Sequence, residues 1–207
     1  AQGSGGEKWG GDHSYVTITG TNDSPALEYN HGLTLDEGAT GIIGFFQINE
    51  ADPDDSSSGL TYTITSAPTH GVLWKDANNN SVQDSGEALT VGGSFDGNFS
   101  GARYTHDGGE STGDSFGFSL ADGGENGAVP VTGSFAISIN AINDAPTFNG
   151  TVGGTVSYTE GGAPVVLDSN AQVVDAELAA LNGGLGNYAG AVLSLSSMEF
   201  MYGDTWG

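Results

Sequence analysis

The 207-residue sequence contains no cysteine and very few basic residues, which are Lys8, Lys75 and Arg103. Without cysteine, neither a disulfide framework nor a thiolate metal site can form. The 26 acidic side chains leave a net charge of −23, which repels nucleic acid and anionic membranes. No apolar run is long enough to span a bilayer. The sequence therefore predicts no nucleic-acid partner and no membrane span in this segment, and it favours divalent cations as counterions.

Signatures of catalysis are also missing. The histidines His13, His31, His70 and His106 show neither metal-binding spacing nor a neighbouring nucleophile motif, and no G-x-S-x-G elbow occurs. Paired carboxylates can hydrolyse glycosides, but nothing in the sequence marks a sugar-sized cleft for them. We therefore predict that the chain is not an enzyme.

Glycine and short β-like runs are abundant. The apolar residues fall into alternating runs rich in β-branched and aromatic side chains, and turn residues separate these runs. Only residues 175–181 look helical. About seven short strands in roughly 120 residues predict an all-β sandwich. The predicted strands are 15–19, 42–48, 60–64, 71–74, 102–106, 116–120 and 131–139, followed by 155–158, 165–167 and 191–195.

Three landmarks occur twice, in the same order and at nearly the same offset, which indicates a tandem array of domains. They are Asn22-Asp23-Ser24-Pro25 with Asn143-Asp144-Ala145-Pro146, Glu37-Gly38 with Glu160-Gly161, and the acids Asp52 and Asp54 with Asp175 and Glu177. We predict that residues 1–23 are a flexible lead-in and the terminal strand of a preceding repeat. Residues 24–144 then form one complete sandwich, and residues 145–207 form part of the next.

The partial repeat suggests a second hypothesis. Residues 145–207 supply only two or three predicted strands, so the edges of this sheet would be bare. Missing downstream sequence, another chain or the N-terminal strand of a neighbouring copy would cover them. The alternative function is therefore a self-assembling extracellular filament subunit, joined head to tail by β-strand complementation.

The segment Tyr104-Thr105-His106-Asp107-Gly108-Gly109-Glu110, followed by Asp122-Gly123-Gly124, joins the repeated landmarks in a recognisable order. Together they resemble the cadherin-like (CSPG-type) tandem repeats of large bacterial surface adhesins, over residues 15 to 195. The resemblance implies tandem cadherin/Ig-like β-sandwich repeats, one complete and the flanking ones partial. It also implies a secreted or cell-surface protein whose partners are neighbouring repeats, copies of itself, or a host or matrix surface.

The resemblance further implies calcium at the junctions between repeats. Calcium takes about six to eight oxygen ligands, which converging carboxylates, amides and carbonyls can supply. Matched by position, the junction after the complete repeat would use Glu37, Asn143, Asp144, Asp175 and Glu177, and the upstream junction would use Asn22, Asp23, Asp52 and Asp54. Gly20 and Ala141 stand where such linkers usually carry an acidic or amide residue. The mid-domain acidic triplet of cadherins has no clear counterpart, so fewer or weaker ions are expected.

A second candidate calcium site lies within the complete repeat. Residues 76–87 match a twelve-residue loop of the EF-hand type, between flanks that look like strands. The predicted ligands are Asp76, Asn78, Asn80, the Val82 carbonyl, Asp84 and Glu87. Ser81 replaces the glycine usual at position six, where the backbone conformation is unusual. Ordinary turns would also explain this loop, the junction acids, and Asp107, Asp114 and Asp122.

These observations together predict a function. We expect a calcium-binding, non-catalytic structural and adhesive repeat segment of a large extracellular bacterial protein, in which calcium rigidifies the junctions. A carbohydrate-binding module would instead require an exposed aromatic platform, for which Trp74 and Trp206 are candidates.

Overall fold

The structure, a computed structural model, describes residues 21–99, 101–123, 127–149, 156–157, 159–166 and 168–192. The chain divides into two compact units, Ala1–Ala141 and Ile142–Gly207, here called unit 1 and unit 2. The predicted strand at 15–19 lies outside the described residues. The predicted domain limits, 1–23, 24–144 and 145–207, stay predictions.

Strands are the main regular secondary structure in the described part of unit 1. Short alternating segments and frequent glycines favour this, since period-two patterns bury every second side chain of a strand. The strands are β1 (Ala26–Asn30), β2 (Leu33–Asp36), β3 (Thr40–Ile42), β4 (Ile48–Ala51), β5 (Thr61–Ser66), β6 (Gly71–Lys75), β7 (Ser94–Asp96), β8 (Ala102–His106), β9 (Gly113–Ala121) and β10 (Val131–Asn140).

These strands form an all-β sandwich, which confirms the predicted fold class. One sheet has the order β2-β10-β9-β5-β7, another has the order β3-β8-β6, and β1 pairs with β4. The β2–β10 pair is parallel, with Ile137 opposite Leu33 and Asn140 opposite Asp36. The other strand pairs of these sheets are antiparallel.

The core lies between the two larger sheets. Phe116, Phe118 and Leu120 on β9 are fully buried, as are Leu73 on β6 and Tyr104 on β8. Aromatic rings pack side by side on the five-stranded sheet: Phe116 on β9 lies opposite Phe135 on β10, with ring centroids 5.0 Å apart. Burying several such rings supplies much of the hydrophobic stabilisation of a small sandwich.

Most predicted strands of unit 1 are confirmed, with one error. The run at 42–48 is not a single strand, because the chain turns after Ile42 and resumes as β4 at Ile48. The Gly44 carbonyl accepts the Gln47 N–H at 2.8 Å and closes this turn. Phe45 and Phe46 consequently stand in solvent, 57% and 72% exposed. The short strands β1, β2 and β7 were not predicted.

Unit 2 contains β11 (Thr147–Asn149) paired antiparallel with β12 (Gln172–Val174), followed by α1 (Ala176–Gly184). The short helix predicted at 175–181 is confirmed. The Asp175 carboxylate caps it by accepting the Leu178 N–H at 2.8 Å, and the backbone leaves helical geometry at Leu181. The described residues of the predicted strands at 155–158, 165–167 and 191–195 are not in strands, and the other residues of those segments are not described.

Candidate metal sites

The loop from Asp76 to Glu87, here called the acidic loop, is tied to the sandwich at both ends. It begins directly after β6, where the Asp76 N–H donates to the Gly101 carbonyl at 2.8 Å. It returns where the Lys75 N–H donates to the Glu87 carbonyl at 2.9 Å, and Ala88 then bridges to Trp74. The upstream flank is therefore a strand, as the sequence predicted, whereas the downstream flank makes only the isolated bridge at Ala88. The sheet holds the loop ends together, so the loop side chains are brought close to one another.

The first half of the acidic loop folds around the carboxylate of Asp76. That side chain is fully buried. Its Oδ1 accepts the Asn80 N–H at 3.0 Å, and its Oδ2 accepts the Ser81 N–H at 2.9 Å. The side-chain oxygens of Asn78 and Asn80 likewise accept backbone N–H groups, from Asn80 at 3.0 Å and Val82 at 2.8 Å. Oxygen atoms at positions one, three and five thus lie on the inner side of one tight turn.

The second half of the acidic loop closes onto the first. Asp84 Oδ2 accepts the side-chain amides of Asn78 at 2.7 Å and Asn80 at 2.8 Å. Glu87 accepts the Ala77 N–H at 2.8 Å and the Asp84 N–H at 2.9 Å. The structure therefore brings together the side chains that the sequence predicted as calcium ligands, within one loop.

Position six of the acidic loop has the backbone conformation that such loops require. Ser81 has a φ of 64°, and Asn79 has a φ of 59°. Left-handed backbone is uncommon for residues other than glycine and costs roughly 1–2 kcal/mol. The loop thus keeps the bend although a serine stands where glycine is usual.

Arg103 on β8 is a further member of this site that the sequence did not indicate. Its Nε and Nη2 both lie 3.1 Å from Asp76 Oδ2, and Nη2 donates to Ser81 Oγ at 3.0 Å. The guanidinium also lies over the Trp74 ring, 5.7 Å from its centroid. Arg103 stands opposite Trp74 in the β6–β8 ladder, and this register brings it to Asp76.

The acids predicted for the upstream junction are gathered at one end of unit 1, with pairings that the sequence did not specify. The Asp23 N–H donates to Asp54 Oδ2 at 2.9 Å, whereas the Asn22 side chain donates to Asp122 Oδ2 at 2.8 Å. Asp52 Oδ1 accepts the Asp54 N–H at 2.8 Å. Asp52 Oδ2 is shielded from solvent and accepts no hydrogen bond from the described residues. Such an oxygen is costly unless a cation or proton approaches it.

Glu110 is a further candidate ligand, which the sequence motifs did not single out. Carboxylate oxygens of Glu37 and Glu110 lie within 4.8 Å of each other. Buried His106 holds both loops, because its Nδ1 accepts the N–H of Gly38 at 3.1 Å and of Gly108 at 3.2 Å. The order His-Asp-Gly-Gly-Glu contributed to the family resemblance. It did not distinguish the glutamate, as a possible ligand, from the turn residues around it. Two like charges at this range favour a cation between them.

Asn143 and Asp175, two of the predicted ligands of unit 2, have separate local contacts in the structure. Asp175 is buried at the start of α1, and the Asn143 amide donates to the Asp144 carbonyl at 2.9 Å. Asn143 and Asp175 line a cavity of about 700 Å³, together with apolar side chains such as Phe148 and Tyr188. The predicted set of Glu37 with Asn143, Asp144, Asp175 and Glu177 draws on both units and stays a prediction.

Asp114 lies in β9 and not in a turn, and its carboxylate has a structural role. Its carboxylate accepts N–H groups from Thr69 at 3.0 Å, His70 at 2.9 Å and Ser115 at 2.8 Å, and the Tyr104 hydroxyl at 2.8 Å. Burial raises the pKa of Asp114, but these hydrogen bonds outweigh it and hold the pKa below its ordinary value. Burial, with Asp114 as hydrogen-bond partner, raises the pKa of Tyr104. This carboxylate therefore ties the backbone at Thr69 and His70 to β9.

Trp74 does not provide an aromatic platform. Its side chain is 1% exposed, and its Nε1 donates to Thr105 Oγ1 at 2.9 Å. Trp206 lies outside the described residues. The exposed rings Phe45 and Phe46 pack on each other with centroids 4.1 Å apart.

Comparison with known proteins identifies the family. The sequence profile described as cadherin-like matches residues 25–139, which is more than half of the chain. Extracellular matrix organizing protein FRAS1 of Mus musculus is 29% identical over 108 residues, covering 52% of this chain and 3% of that protein. Extracellular matrix protein 3 of Lytechinus variegatus is 33% identical over 105 residues, covering 51% of this chain and 3% of that protein.

A further relative, FRAS1-related extracellular matrix protein 1 of Homo sapiens, is 29% identical over 109 residues, 51% of this chain and 4% of that protein. The matched segment is thus a small part of each relative's length. These relatives are animal proteins, so they lend no support to the predicted bacterial origin. Among the described residues, no helix has the length and apolar character to cross a membrane. With its all-β sandwich and a profile match over most of unit 1, the chain belongs to the cadherin-like family.

Proposed function

We propose that the chain is a calcium-binding, non-catalytic repeat segment of a large extracellular protein, in which calcium fixes the acidic loops and rigidifies the repeat array. One observation carries this proposal. The acidic loop has side-chain oxygens at positions one, three, five, nine and twelve. All of them accept hydrogen bonds from other residues of the same twelve-residue loop, which holds them close together.

The donor set of the acidic loop suits calcium better than other common metals. Carboxylate, amide and carbonyl oxygens are hard ligands, and no cysteine occurs anywhere in the chain. Asp76, Asp84 and Glu87 supply charge, while Asn78, Asn80 and the Val82 carbonyl supply neutral oxygens. A bound calcium would neutralise the carboxylates and replace the amide hydrogen bonds that Asp84 now accepts.

One shielded carboxylate oxygen and one pair of glutamates support calcium elsewhere in unit 1. The shielded Asp52 Oδ2 has no donor among the described residues, and Glu37 and Glu110 approach within 4.8 Å. A cation would stabilise the carboxylates in both places, in a chain with a net charge of −23. We propose that Asn22, Asp23, Asp52 and Asp54 bind calcium at the upstream junction, and that Glu37 belongs to the downstream one.

An extracellular location follows from the same family relationship. The relatives are named as extracellular matrix proteins, and calcium there is about millimolar, which would substantially occupy sites with dissociation constants of roughly 10⁻⁴–10⁻³ M. Neighbouring repeats and matrix surfaces are the proposed partners, and the roles are structural and adhesive.

Calorimetry of the whole chain tests this function. At 1 mM calcium, a site with a dissociation constant of about 0.1 mM adds about 1.4 kcal/mol to the free energy of unfolding. The melting temperature should therefore rise by about 5 °C relative to protein in chelator. Asp84→Asn should remove the heat of binding to the acidic loop, while Asp107→Asn, an exposed acid in another loop, should not. An unchanged melting curve and no heat of titration would contradict the proposal.

The filament hypothesis receives support from unit 2. All buried hydrophobic side chains among the described residues belong to unit 1, while Phe148, Val173 and Val174 on β11 and β12 are exposed. Exposed apolar strand residues favour pairing with a further strand. We propose self-association through this sheet as the second candidate. Electron microscopy of the purified chain should then show filaments, whereas a uniform monomer in light scattering would exclude it.

A further inference from the structure

Arg103 occupies an unusual position for a cation in this protein. It is the only arginine among three basic residues, and it contacts the one fully buried carboxylate of the acidic loop. Two of its nitrogens lie 3.1 Å from Asp76 Oδ2, and one also reaches Ser81 Oγ. The contact therefore joins β8 to the first and sixth positions of the loop.

The side chain of Arg103 is held in place by more than this ion pair. Its guanidinium lies over the ring of Trp74, and Trp74 is fixed by burial and by its hydrogen bond to Thr105. A planar guanidinium that stacks on an aromatic ring and forks onto a carboxylate has little freedom to leave. Arg103 is thus a preformed part of the site.

The charge of Arg103 acts on the loop in two opposing ways. Without both calcium and Arg103, Asp76 would be a buried carboxylate with only backbone donors; in the calcium-free loop the guanidinium supplies the positive charge that such a group needs. With calcium, the same guanidinium repels the dication across a single carboxylate. One residue therefore stabilises the calcium-free loop and weakens the calcium-bound one.

We propose that Arg103 sets the calcium affinity of the acidic loop by serving as its resident cation when calcium is absent. The loop then keeps its shape in the calcium-free protein, and calcium binding gains less free energy than it would in a loop without the arginine. This inference rests on the proposed calcium binding of the acidic loop. Arg103 is a positioning residue here, since it acts through Asp76 and is not itself a ligand.

Arg103→Gln tests the inference, because glutamine keeps a donor for Asp76 and removes the charge. Isothermal titration with calcium should show about tenfold tighter binding at the loop, the size given by Coulomb's law for a dication and a monocation roughly 6 Å apart in a water-like dielectric. The melting temperature in chelator should fall, while that in saturating calcium should remain near the wild-type value. Subtracting the titration of Asp84→Asn isolates the heat that belongs to the loop.

Two controls separate charge from packing. Arg103→Lys keeps the charge and should keep an affinity within about threefold of the wild type, because the Coulomb term is retained. Lys75→Met removes a cation from the neighbouring position, where strand alternation directs the side chain to the opposite face, and should leave loop affinity unchanged. Equal affinities for wild type and Arg103→Gln, or equal tightening by Arg103→Gln and Lys75→Met, would overturn the inference.

The remaining outcomes are also decisive. If Arg103→Gln unfolds in chelator, calcium must restore its fold, and a variant that stays unfolded in saturating calcium would overturn the inference. If Asp84→Asn titrates like the wild type, the loop does not bind calcium. Both the proposed function of the loop and the inference about Arg103 are then wrong. If Asp84→Asn removes the loop heat but Arg103→Gln changes nothing, the function stands and the role of Arg103 is wrong.

Discussion

Replacing Asp114 with asparagine should destabilise unit 1 strongly, although the two side chains have the same shape. The carboxylate accepts four hydrogen bonds, and its Oδ2 takes the His70 N–H at 2.9 Å and the Tyr104 hydroxyl at 2.8 Å. An asparagine amide at the Oδ2 position would face the His70 N–H with another donor. Tyr104 can turn its hydroxyl hydrogen to the His70 carbonyl, 3.0 Å away, so that contact is partly recovered.

The size of the effect follows from these contacts. One hydrogen bond to the carboxylate is lost outright, and the remaining ones are no longer made to a charged acceptor. Together these losses lower the free energy of unfolding by about 3 kcal/mol. Urea unfolding at pH 7, followed by circular dichroism, should show the loss as a lower midpoint with an unchanged slope. Asp107→Asn is the matched control, because Asp107 is exposed and its carboxylate accepts the Gly109 N–H at the surface; its effect should be within about 0.5 kcal/mol.

The pH dependence gives an independent check on the same substitution. The folded-state pKa of Asp114 lies below its ordinary value of 3.8, so its stabilisation is present above that value and is lost as pH falls through the folded pKa. The difference between wild type and Asp114→Asn should therefore shrink below about pH 4. Equal midpoints at pH 7, or a difference that is the same at pH 3 and pH 7, would refute this reasoning.

Three further substitutions probe other parts of unit 1. Burial raises the pKa of Glu50, so its charge opposes folding as pH rises; Glu50→Gln should therefore raise the melting temperature more at pH 7 than at pH 4, measured by calorimetry in chelator. Gly133→Ala places a methyl group 2.6 Å from Phe118 Cζ and should cost about 1–3 kcal/mol in urea unfolding; an unchanged midpoint would show that the ring moves freely. Changing both Phe45 and Phe46 to serine should alter the free energy of unfolding by less than about 0.5 kcal/mol, and a larger loss would place these rings in the core.

Features encoded by local spacing were predictable from the sequence. β8 and β10 alternate with period two, since Ala102, Tyr104 and His106 on β8 face the core while the residues between them are less buried. The acidic loop was predictable for the same reason. Its oxygen ligands lie within twelve consecutive residues, so their spacing in the sequence was enough to place them in one loop.

Features that depend on tertiary contacts were not predictable. Nothing local links Asn22 to Asp122 or Arg103 to Asp76, because the sandwich topology brings these residues together. The run at 42–48 has the composition of a strand, but Gly44 accepts two backbone N–H groups and turns the chain. Strands β2 and β7 have only four and three residues, which is too short for a periodic signal.

The parallel pairing of β2 with β10 has a consequence for how the domain responds to tension. β2 lies near the start of unit 1 and β10 near its end, and both run in the same direction. A pull on the two chain ends therefore slides these strands past each other, so the hydrogen bonds of the ladder are loaded together in shear rather than opened one by one. Stretching experiments should show a high rupture force for this sandwich, with the β2–β10 ladder as its clamp.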